Sequence, residues 1–473
     1  MRLERLAAPL LATLLWACSS SSHPTCDPAS PTSCPAGRVC ETVSGAPPAC
    51  VPPLVIRGTV RDLASGAAVA GARVVALDQN RAPASAVATT AADGTYALEV
   101  PAARDGSGAP AAAGVTLRAD ADGYQSFPGG VRTALPIDLA TAAYASGAGR
   151  WELSGSLTQV GLIALPADAT RARIHGTVAV PPSRVGVLVV AEQGGVGRAV
   201  IADRNGGYVI FNLPVPADPT PYRVEAYAQG VQFAPVNVDL SPGGDGQANL
   251  AISGAAAIGF GGNLIYNNGV GPPTQVALAV ASTYLASLDR GETPPGLVAR
   301  VATGSTYAFQ GVPDGTYRVL ASFDVDGAVR DVSGGGNTDS PTVTVSGGAV
   351  QGAVPGFKLC GAVDLTSIDG QTSLGTAPVA LTHAAPAFVW QRQSTYASAA
   401  YYRIQVIDAL GQPTWEVEQA ATAGTNQVTY AGPALAPGMY YQLRIQALDG
   451  ASSDPLTVQL SQTEDLKGVF TLP

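Results

Sequence analysis

The segment Ile56-Arg57-Gly58-Thr59-Val60 decides the fold, because its pattern of apolar residue, variable residue, glycine, variable residue and apolar residue returns along the chain. The further copies are Ile174-His175-Gly176-Thr177-Val178, Phe260-Gly261-Gly262-Asn263-Leu264 and Leu359-Cys360-Gly361-Ala362-Val363. The glycines recur at domain-sized steps, well above the period of about 20–50 residues that solenoid repeats show. The pattern therefore predicts four successive domains. If Ile56 faces a core, strand alternation turns Arg57 away from it, and His175 and Cys360 occupy the same register position.

A second signal inside each unit combines a tight turn with the start of a strand. Its copies are Asp93-Gly94-Thr95-Tyr96, Asn205-Gly206-Gly207-Tyr208, Asp314-Gly315-Thr316-Tyr317 and Pro437-Gly438-Met439-Tyr440. Asp-Gly and Asn-Gly readily adopt the positive φ that tight hairpins require. Short strands bounded by glycine and proline at this density are typical of β-sandwiches. We therefore expect an all-β chain of tandem sandwiches.

The composition excludes several classes of protein. The 473 residues include 55 Gly and 37 Pro, and only 13% are charged, with a net charge of -9. Because a nucleic-acid binder needs clustered basic residues, we expect no nucleic-acid partner. An apolar fraction of 46% argues against a disordered chain. What remains is a globular, turn-rich protein.

The order of motifs in the first unit resembles a known family. Gly58-Thr59-Val60, the stretch Ala68 to Val74, Asp93-Gly94-Thr95-Tyr96 and Ala121 to Tyr124 follow one another. Together they resemble the carboxypeptidase regulatory-like domain, a transthyretin-like Greek-key sandwich related to the Cna-B modules of surface proteins. The resemblance implies sandwiches at 54–166, 170–254 and 255–357. The last segment, 358–473, looks more like a fibronectin type III strand set, with Trp390 filling its core.

The N-terminus reads as an export signal. Arg2 and Arg5 precede an apolar run from Leu6 to Ala17, which at about 12 residues is too short to span a bilayer. Leu15-Trp16-Ala17-Cys18 resembles a bacterial lipobox, which implies a signal peptide at 1–17, a lipid on Cys18 and a tether at 18–25. Ser19 resembles the outer-membrane sorting signal of Gram-negative bacteria. The alternative is ordinary secretion, with Cys18 as one more disulfide cysteine.

Four cysteines, Cys26, Cys34, Cys40 and Cys50, lie in a segment (26–53) that is too poor in apolar residues to build a core. In an oxidising compartment disulfides replace such a core, and four cysteines allow three pairings. A zinc site with four cysteine ligands is the alternative, although the spacings lack a C-x2-C pair. Cys360 stands apart, and we expect a buried thiol or a bond to another chain.

The sequence contains few signs of catalytic chemistry. The chain has no HExxH, G-x-S-x-G or P-loop motif, so we expect neither an enzyme nor a cofactor. The lysines are Lys358 and Lys467, which rules out in the first two units the internal Lys–Asn isopeptide bond of some Cna-B modules. Asp324 and Asp326 are weak calcium candidates, since hard cations need several oxygen ligands.

The last domain is rich in aromatic residues, and adjacent ones point to opposite faces of a strand. Tyr401, Trp415 and Tyr441 are therefore candidates for an outward binding surface. The sequence predicts a non-catalytic cell-envelope lipoprotein, anchored by lipid at the outer membrane or cell surface, that acts as a spacer, structural or adhesion protein. Its four sandwiches would lie end to end as a rod. The alternative is a module that binds a carbohydrate or peptide through the last domain, and the protein or glycan partner is unknown.

Overall fold

The computed structural model describes most of the chain beyond residue 23, within the following ranges: 24–28, 30, 33–130, 132, 134, 136–181, 186–216, 220–266, 274–286, 288, 290–301, 304–323, 340–354, 356–359, 362–374, 378–392, 398–409, 412–464 and 467–472. The predicted signal peptide with Cys18, the calcium candidates Asp324 and Asp326, and Cys360 lie outside these residues. The described chain is all-β, as predicted, with three short 3-10 helices at Leu139–Thr141, Ser156–Thr158 and Ala281–Thr283. Among the described residues no helix is long and apolar enough to cross a membrane.

The first strands of the described chain are β1 (Val39–Val43) and β2 (Ala46–Val51), which form a small hairpin. We call this hairpin, together with the segment before it from Cys26 onward, the collar. The strands are antiparallel, and Cys40 lies opposite Cys50. Gly45, with a φ of 73°, makes the turn between them. The collar leads directly into the first sandwich.

Sandwich one contains ten strands. They are β3 (Leu54–Asp62), β4 (Arg73–Leu77), β5 (Ala88–Thr89), β6 (Thr95–Glu99), β7 (Gly114–Asp120), β8 (Tyr124–Gln125), β9 (Ile137–Asp138), β10 (Ala143–Ala145), β11 (Arg150–Leu153) and β12 (Val160–Ala164). One sheet has the order β10-β11-β3-β12-β8, with β6 also paired to β3, and the other has the order β5-β4-β7-β9. Ile56 is fully buried and Arg57 is half-exposed, which confirms the predicted facing of the opening strand.

Sandwich two repeats this plan with fewer strands. They are β13 (Ala172–Thr177), β14 (Leu188–Gln193), β15 (Val196–Ile201), β16 (Gly207–Leu213), β17 (Tyr222–Tyr227), β18 (Val231–Phe233), β19 (Val236–Val238), β20 (Asp245–Gln247) and β21 (Ile252–Ala255). The sheets are β16-β13-β20 and β15-β14-β17-β19, and β18 pairs with β21. The opening strand again pairs antiparallel on one side and parallel on the other.

Sandwich three follows the same plan. Its strands are β22 (Phe260–Tyr266), β23 (Thr274–Val280), β24 (Val298–Val301), β25 (Thr306–Phe309), β26 (Gly315–Phe323), β27 (Thr342–Ser346), β28 (Ala349–Gln351) and β29 (Phe357–Leu359). The sheets are β25-β22-β29 and β24-β23-β26-β27-β28. Since β29 pairs in parallel with β22, it closes sandwich three, and the expected boundary between 357 and 358 falls inside this strand. Leu359 therefore ends the third unit instead of opening the fourth.

Sandwich four has a different strand arrangement. Its strands are β30 (Asp364–Ile368), β31 (Val379–Ala380), β32 (Ala387–Gln391), β33 (Tyr401–Asp408), β34 (Pro413–Ala420), β35 (Thr425–Thr429), β36 (Tyr440–Leu448), β37 (Gln459–Gln462) and β38 (Val469–Thr471). One sheet has the order β30-β32-β35, and the other has the order β31-β38-β36-β33-β34, with β37 also paired to β36. Trp390 lies fully buried in this core against Tyr402, at a ring-centroid distance of 5.3 Å.

The opening strand needs glycine at the point where a tyrosine side chain of the neighbouring strand crosses it. In sandwich one, Gly58 lies opposite Tyr96, whose hydroxyl donates a 2.6 Å hydrogen bond to the carbonyl oxygen of Thr158. A Cβ atom on Gly58 would overlap that carbonyl oxygen. The bond ties the β3 and β6 pair to the chain that returns before β12, and so closes the sheet around the core.

The same arrangement recurs in sandwich two. Gly176 lies opposite Tyr208, whose hydroxyl donates to the carbonyl oxygen of Ala248 at 2.7 Å. In sandwich three the tyrosine opposite Gly262 is Tyr307 of β25. The sequence pattern singled out Tyr317 for that unit, but Tyr317 belongs to β26 in the other sheet. The turn signal at Asp314-Gly315 therefore marked a strand, although not the equivalent one.

Candidate functional site

Two disulfides hold the collar. Cys26 pairs with Cys40 and Cys34 pairs with Cys50, with Cα–Cα distances of 5.8 and 5.5 Å. The structure thus selects one of the three possible pairings, and the four sulfurs form disulfides rather than a zinc site. Closing loops of this length stabilises a fold by about 3 kcal/mol each in the chain-entropy model. The collar replaces a hydrophobic core with covalent bonds.

The collar docks on sandwich one through a buried ion pair. The guanidinium of Arg104, 1% exposed, donates from Nε to the carboxylate of Glu41 and from Nη2 to the carbonyl oxygen of Pro52 at 2.9 Å. The other carboxylate oxygen of Glu41 accepts from the backbone N–H of Ala102 at 3.0 Å. Removing one partner of a buried pair is far more costly than removing both. The joint therefore fixes the orientation of the collar.

A buried asparagine joins sandwiches one and two. Asn212, at the end of β16, has a φ of 60° and is 5% exposed. Its side-chain N–H groups donate to the carbonyl oxygens of Ala121 at 3.0 Å and Tyr124 at 2.9 Å. Its side-chain oxygen accepts from Gly123 N at 2.7 Å. The amide thereby bonds to three backbone groups between Ala121 and Tyr124.

Sandwiches one, two and three share one continuous hydrophobic cluster. Strand β4 turns Val75 and Leu77 away from its own core, and β14 does the same with Leu188 and Val190. These side chains join the core of sandwich three, in which Leu278 is fully buried. Burying such a side chain stabilises a structure by about 1.5–3 kcal/mol. The end-to-end rod expected from the sequence is therefore wrong for these three sandwiches, since they pack side against side.

Arg118 of β7 lies where these three sandwiches meet. Its Nη1 bonds to the carboxylate of Glu292 in sandwich three at 3.1 and 3.2 Å, and its Nη2 donates to Ala199 O in sandwich two at 2.6 Å. Its Nε bonds to Asp120 in its own sandwich at 3.2 Å. Burial alone would lower the pKa of Arg118, but the charges of Asp120 and Glu292 outweigh that effect and raise the pKa. One guanidinium thus holds all three sandwiches.

Sandwich four also contacts the rest of the molecule. Ile407 and Ala409, at the end of β33, form a buried cluster with Ile163 of sandwich one and Leu288 of sandwich three. The carbonyl oxygen of Ala409 accepts a hydrogen bond from Gln125 Nε2 at 2.9 Å. The described sandwiches therefore form one assembly.

Of the three candidate binding aromatics of sandwich four, one is buried in the core and two are half-buried. Tyr441 is 3% exposed and stacks on Phe470 at 5.6 Å, so its assignment as an outward aromatic is wrong. Trp415 is half-buried and packs edge-on against Tyr430 at 5.1 Å. Tyr401 is half-buried in β33. Among the described aromatic residues of this sandwich, none belongs to the exposed large apolar side chains.

The residues that join the domains were not singled out from the sequence. Arg118 follows Leu117 as an ordinary strand residue, and Arg104 and Asn212 belong to no motif. The one usable signal was the unbroken apolar run of β4, β14 and β23, because a strand with both faces buried loses its alternation. That pattern would have predicted sheet faces that are covered by neighbouring sandwiches.

Comparison with known proteins gives one family match and several distant structures. Residues 369–462 match the model of the N-terminal immunoglobulin domain of Rha78A-like proteins. The structure of a streptococcal ancillary pilin matches at 12% identity over 65% of this chain and 99% of that chain, with a TM-score of 0.17. The major pilin BcpA of Bacillus cereus matches at 9% identity over 65% and 98%, with a TM-score of 0.18. The shaft pilin SpaA of Lactobacillus rhamnosus GG matches at 12% identity over 43% and 98%, with a TM-score of 0.17.

Such low TM-scores establish no common arrangement of domains. No match to this chain was found among curated proteins. The family match lies entirely within sandwich four, where it agrees with the two sheets packed around Trp390. Sandwich four is therefore similar, over residues 369–462, to the N-terminal immunoglobulin domain of Rha78A-like proteins.

Proposed function

We propose that this chain is a non-catalytic structural or adhesion-type protein of the cell envelope, in which the sandwiches act as one rigid support. The observation that carries the proposal is the hydrophobic cluster shared by sandwiches one, two and three. Domains joined only by linkers move relative to one another, whereas a large apolar interface holds them in one orientation. A rigid block suits a protein that bears load or presents a surface.

The collar supports an exported location. Two disulfides within a short segment persist in an oxidising compartment, as found outside the cytosol. The buried ion pair of Glu41 and Arg104 then joins the collar directly to sandwich one. A force applied at the N-terminal end would reach the sandwiches through a joint without a flexible linker.

The finer part of the proposal is a lipid anchor at Cys18 in the outer membrane of a Gram-negative bacterium. It is supported by the sequence Leu15-Trp16-Ala17-Cys18 and by Ser19. Labelled palmitate should be incorporated into the expressed full chain and lost in Cys18→Ala. Cys26→Ala is the matched control, and it should retain the label. Equal labelling of the parent and Cys18→Ala would reject the anchor.

Rigidity is tested by calorimetry of the full chain. The shared cluster predicts that sandwiches one, two and three unfold in one cooperative transition. Val75→Ser, in the shared cluster, should split or broaden that transition, because it places a hydroxyl between sandwiches. Val196→Ser, where the valine is 70% exposed, should leave it unchanged. Three separate transitions in the parent protein would contradict the proposal.

A further inference from the structure

A cavity of about 330 Å³ lies at the junction of sandwiches one, two and three. We call it the Arg81 cavity. Its lining contains five of the 26 basic residues of the chain, which are Arg81, Arg118, Arg132, Arg290 and Arg300, and two acids, Asp78 and Glu292. The protein as a whole carries a net charge of -9, so this concentration of positive charge is local. Cavities of this volume are typical of sites for small molecules.

Three of the arginines are used by the fold. Arg118 is neutralised by Asp120 and Glu292. Arg132 donates to Gly161 O and lies between the rings of Phe127 and Tyr440, and burial lowers its pKa to about 10. Arg290 donates from Nη1 to Gly130 O at 2.5 Å.

Arg81 and Arg300 differ from these three. Within the described part of the chain, neither guanidinium has a hydrogen-bond or ion-pair partner. Arg300 is exposed, whereas Arg81 is partly buried. Burial lowers the pKa of Arg81, which the charge of Glu292 counteracts and that of Arg118 reinforces. The Glu292 carboxylate is bonded to Arg118, so a further anion in the cavity would still gain from pairing with the guanidinium of Arg81.

The backbone of the loop that carries Arg81 is fixed by hydrogen bonds. Arg81 has a φ of 64°, which is uncommon for a residue other than glycine. The Asp78 carboxylate accepts from Asn80 N at 2.8 Å and from Ala82 N at 2.9 Å, and this fixes the loop. Gly296 N in sandwich three donates to Asn80 O at 3.0 Å. Backbone strain of this kind concentrates at functional sites, where the surrounding structure maintains it.

A second polar group of the lining is also without a partner. Thr293 is 1% exposed, and no described residue bonds to its hydroxyl. A buried hydroxyl without a hydrogen bond is costly, because it has lost water and gained nothing. An anion in the cavity would accept from Thr293 as well as from Arg81.

We propose that the Arg81 cavity binds a small multivalent anion that carries phosphate or carboxylate groups. Arg81 supplies the planar, bidentate donor that such groups prefer, and Thr293 supplies a hydroxyl donor. Arg300 at the exposed rim attracts the ligand and adds a second charge. The site does not depend on the structural role proposed above, since it uses residues that the shared hydrophobic cluster does not need.

Titration calorimetry of the full chain tests the site. Pyrophosphate and citrate serve as probes at constant ionic strength, so that the two titrations distinguish phosphate from carboxylate chemistry. We expect one site per chain for at least one probe. Arg81→Gly should weaken its binding at least tenfold, and Arg300→Gln several-fold. Arg57→Gln is the matched control, since Arg57 is exposed on the same sandwich and does not belong to the cavity lining; it should bind as the parent does.

Glycine is chosen at position 81 because it accepts the positive φ. Without a ligand, Arg81→Gly should unfold at the same temperature as the parent or at a higher one, since an unpaired charge has been removed. A lower midpoint would show that Arg81 is retained for stability and would count against the site. The proposal is also overturned if neither probe binds, or if Arg57→Gln weakens binding as much as Arg81→Gly.

Discussion

The side-chain oxygen of Asn212 accepts a hydrogen bond of 2.7 Å from the backbone N–H of Gly123, which connects sandwich two to a turn of sandwich one. Gly123 has a φ of 77°, so the turn places its N–H toward the neighbouring sandwich. The amide of Asn212 also donates to Ala121 and Tyr124, and therefore replaces the water that would otherwise solvate this turn. The two sandwiches are joined by directional bonds in addition to apolar contact.

Replacing Asn212 should loosen this joint. Asn212→Ala removes the three hydrogen bonds that the amide makes to the turn, so we expect a loss of about 2–4 kcal/mol in the free energy of unfolding, measured by urea denaturation. Asn212→Gly keeps the positive φ without strain and isolates the effect of the amide. Asn237→Ala, on an exposed position of β19, is the control and should change stability little. Full stability of Asn212→Gly would show that the hydrogen bonds are not needed.

The opening glycines should tolerate no side chain. Gly58→Ala would push a Cβ atom into the carbonyl oxygen of Thr158 and toward the Tyr96 hydroxyl, so we expect a loss of about 1–3 kcal/mol. Gly147→Ala in the same sandwich meets open space, and we expect a change below about 0.5 kcal/mol. Thermal unfolding of the two variants checks the difference. Equal stability would show that the strands separate enough to admit a methyl group.

The local features of the fold could be predicted because short patterns determine them. Ile56 and Arg57 alternate as a strand requires, and the collar cysteines signalled disulfides by their density alone. The turn at Asp314 predicted the wrong equivalent strand in sandwich three, because Asp-Gly is favourable in any tight turn. The chemistry of a turn does not specify which strand follows it.

The packing between sandwiches depends on contacts that are distant in sequence. Arg118 meets Glu292 only because two separate sandwiches are in contact, and no local pattern encodes that contact. Tyr441 was expected outward because it is adjacent to Tyr440, but Tyr440 packs beside Arg132 of sandwich one. Alternation predicts two opposite faces, although it does not predict which of them a neighbouring domain covers.

Arg118 should be among the residues most sensitive to substitution. Arg118→Met keeps the volume but leaves Asp120 and Glu292 without their cation, so we expect a loss of about 3–5 kcal/mol in calorimetric stability. Glu292→Gln added to Arg118→Met should recover part of this loss, since it removes one unpaired charge. Arg223→Gln, in an exposed pair with Glu225, should cost less than about 1 kcal/mol. A similar loss in both single variants would contradict the special role of the junction.

Reduction of the disulfides should release the collar and leave the sandwiches folded. The loops closed by Cys26–Cys40 and Cys34–Cys50 lack a core of their own, and each bond contributes about 3 kcal/mol. Limited proteolysis under reducing conditions should therefore cleave within 26–51 first. The double variant Cys34→Ser with Cys50→Ser should show the same cleavage without a reductant. Resistance of the reduced collar would show that the joint of Glu41 and Arg104 suffices to hold it.

The buried tyrosines should make the protein sensitive to alkali. Burial raises the pKa of Tyr307 to about 12, and burial also raises the pKa of Tyr317 well above its ordinary value. In the unfolded chain a tyrosine titrates near pH 10. Since the folded pKa of Tyr307 is higher than its unfolded pKa, the contribution of its protonated hydroxyl to stability is complete below pH 10. That contribution is lost as the pH rises through about 12. The free energy of unfolding should therefore fall over this range, with tyrosinate absorbance appearing together with unfolding.

Tyr307→Phe should flatten the pH dependence, and Tyr144→Phe, where the tyrosine is 47% exposed, should leave it as in the parent. Tyrosinate absorbance at full strength in the still-folded protein would contradict this account of the core.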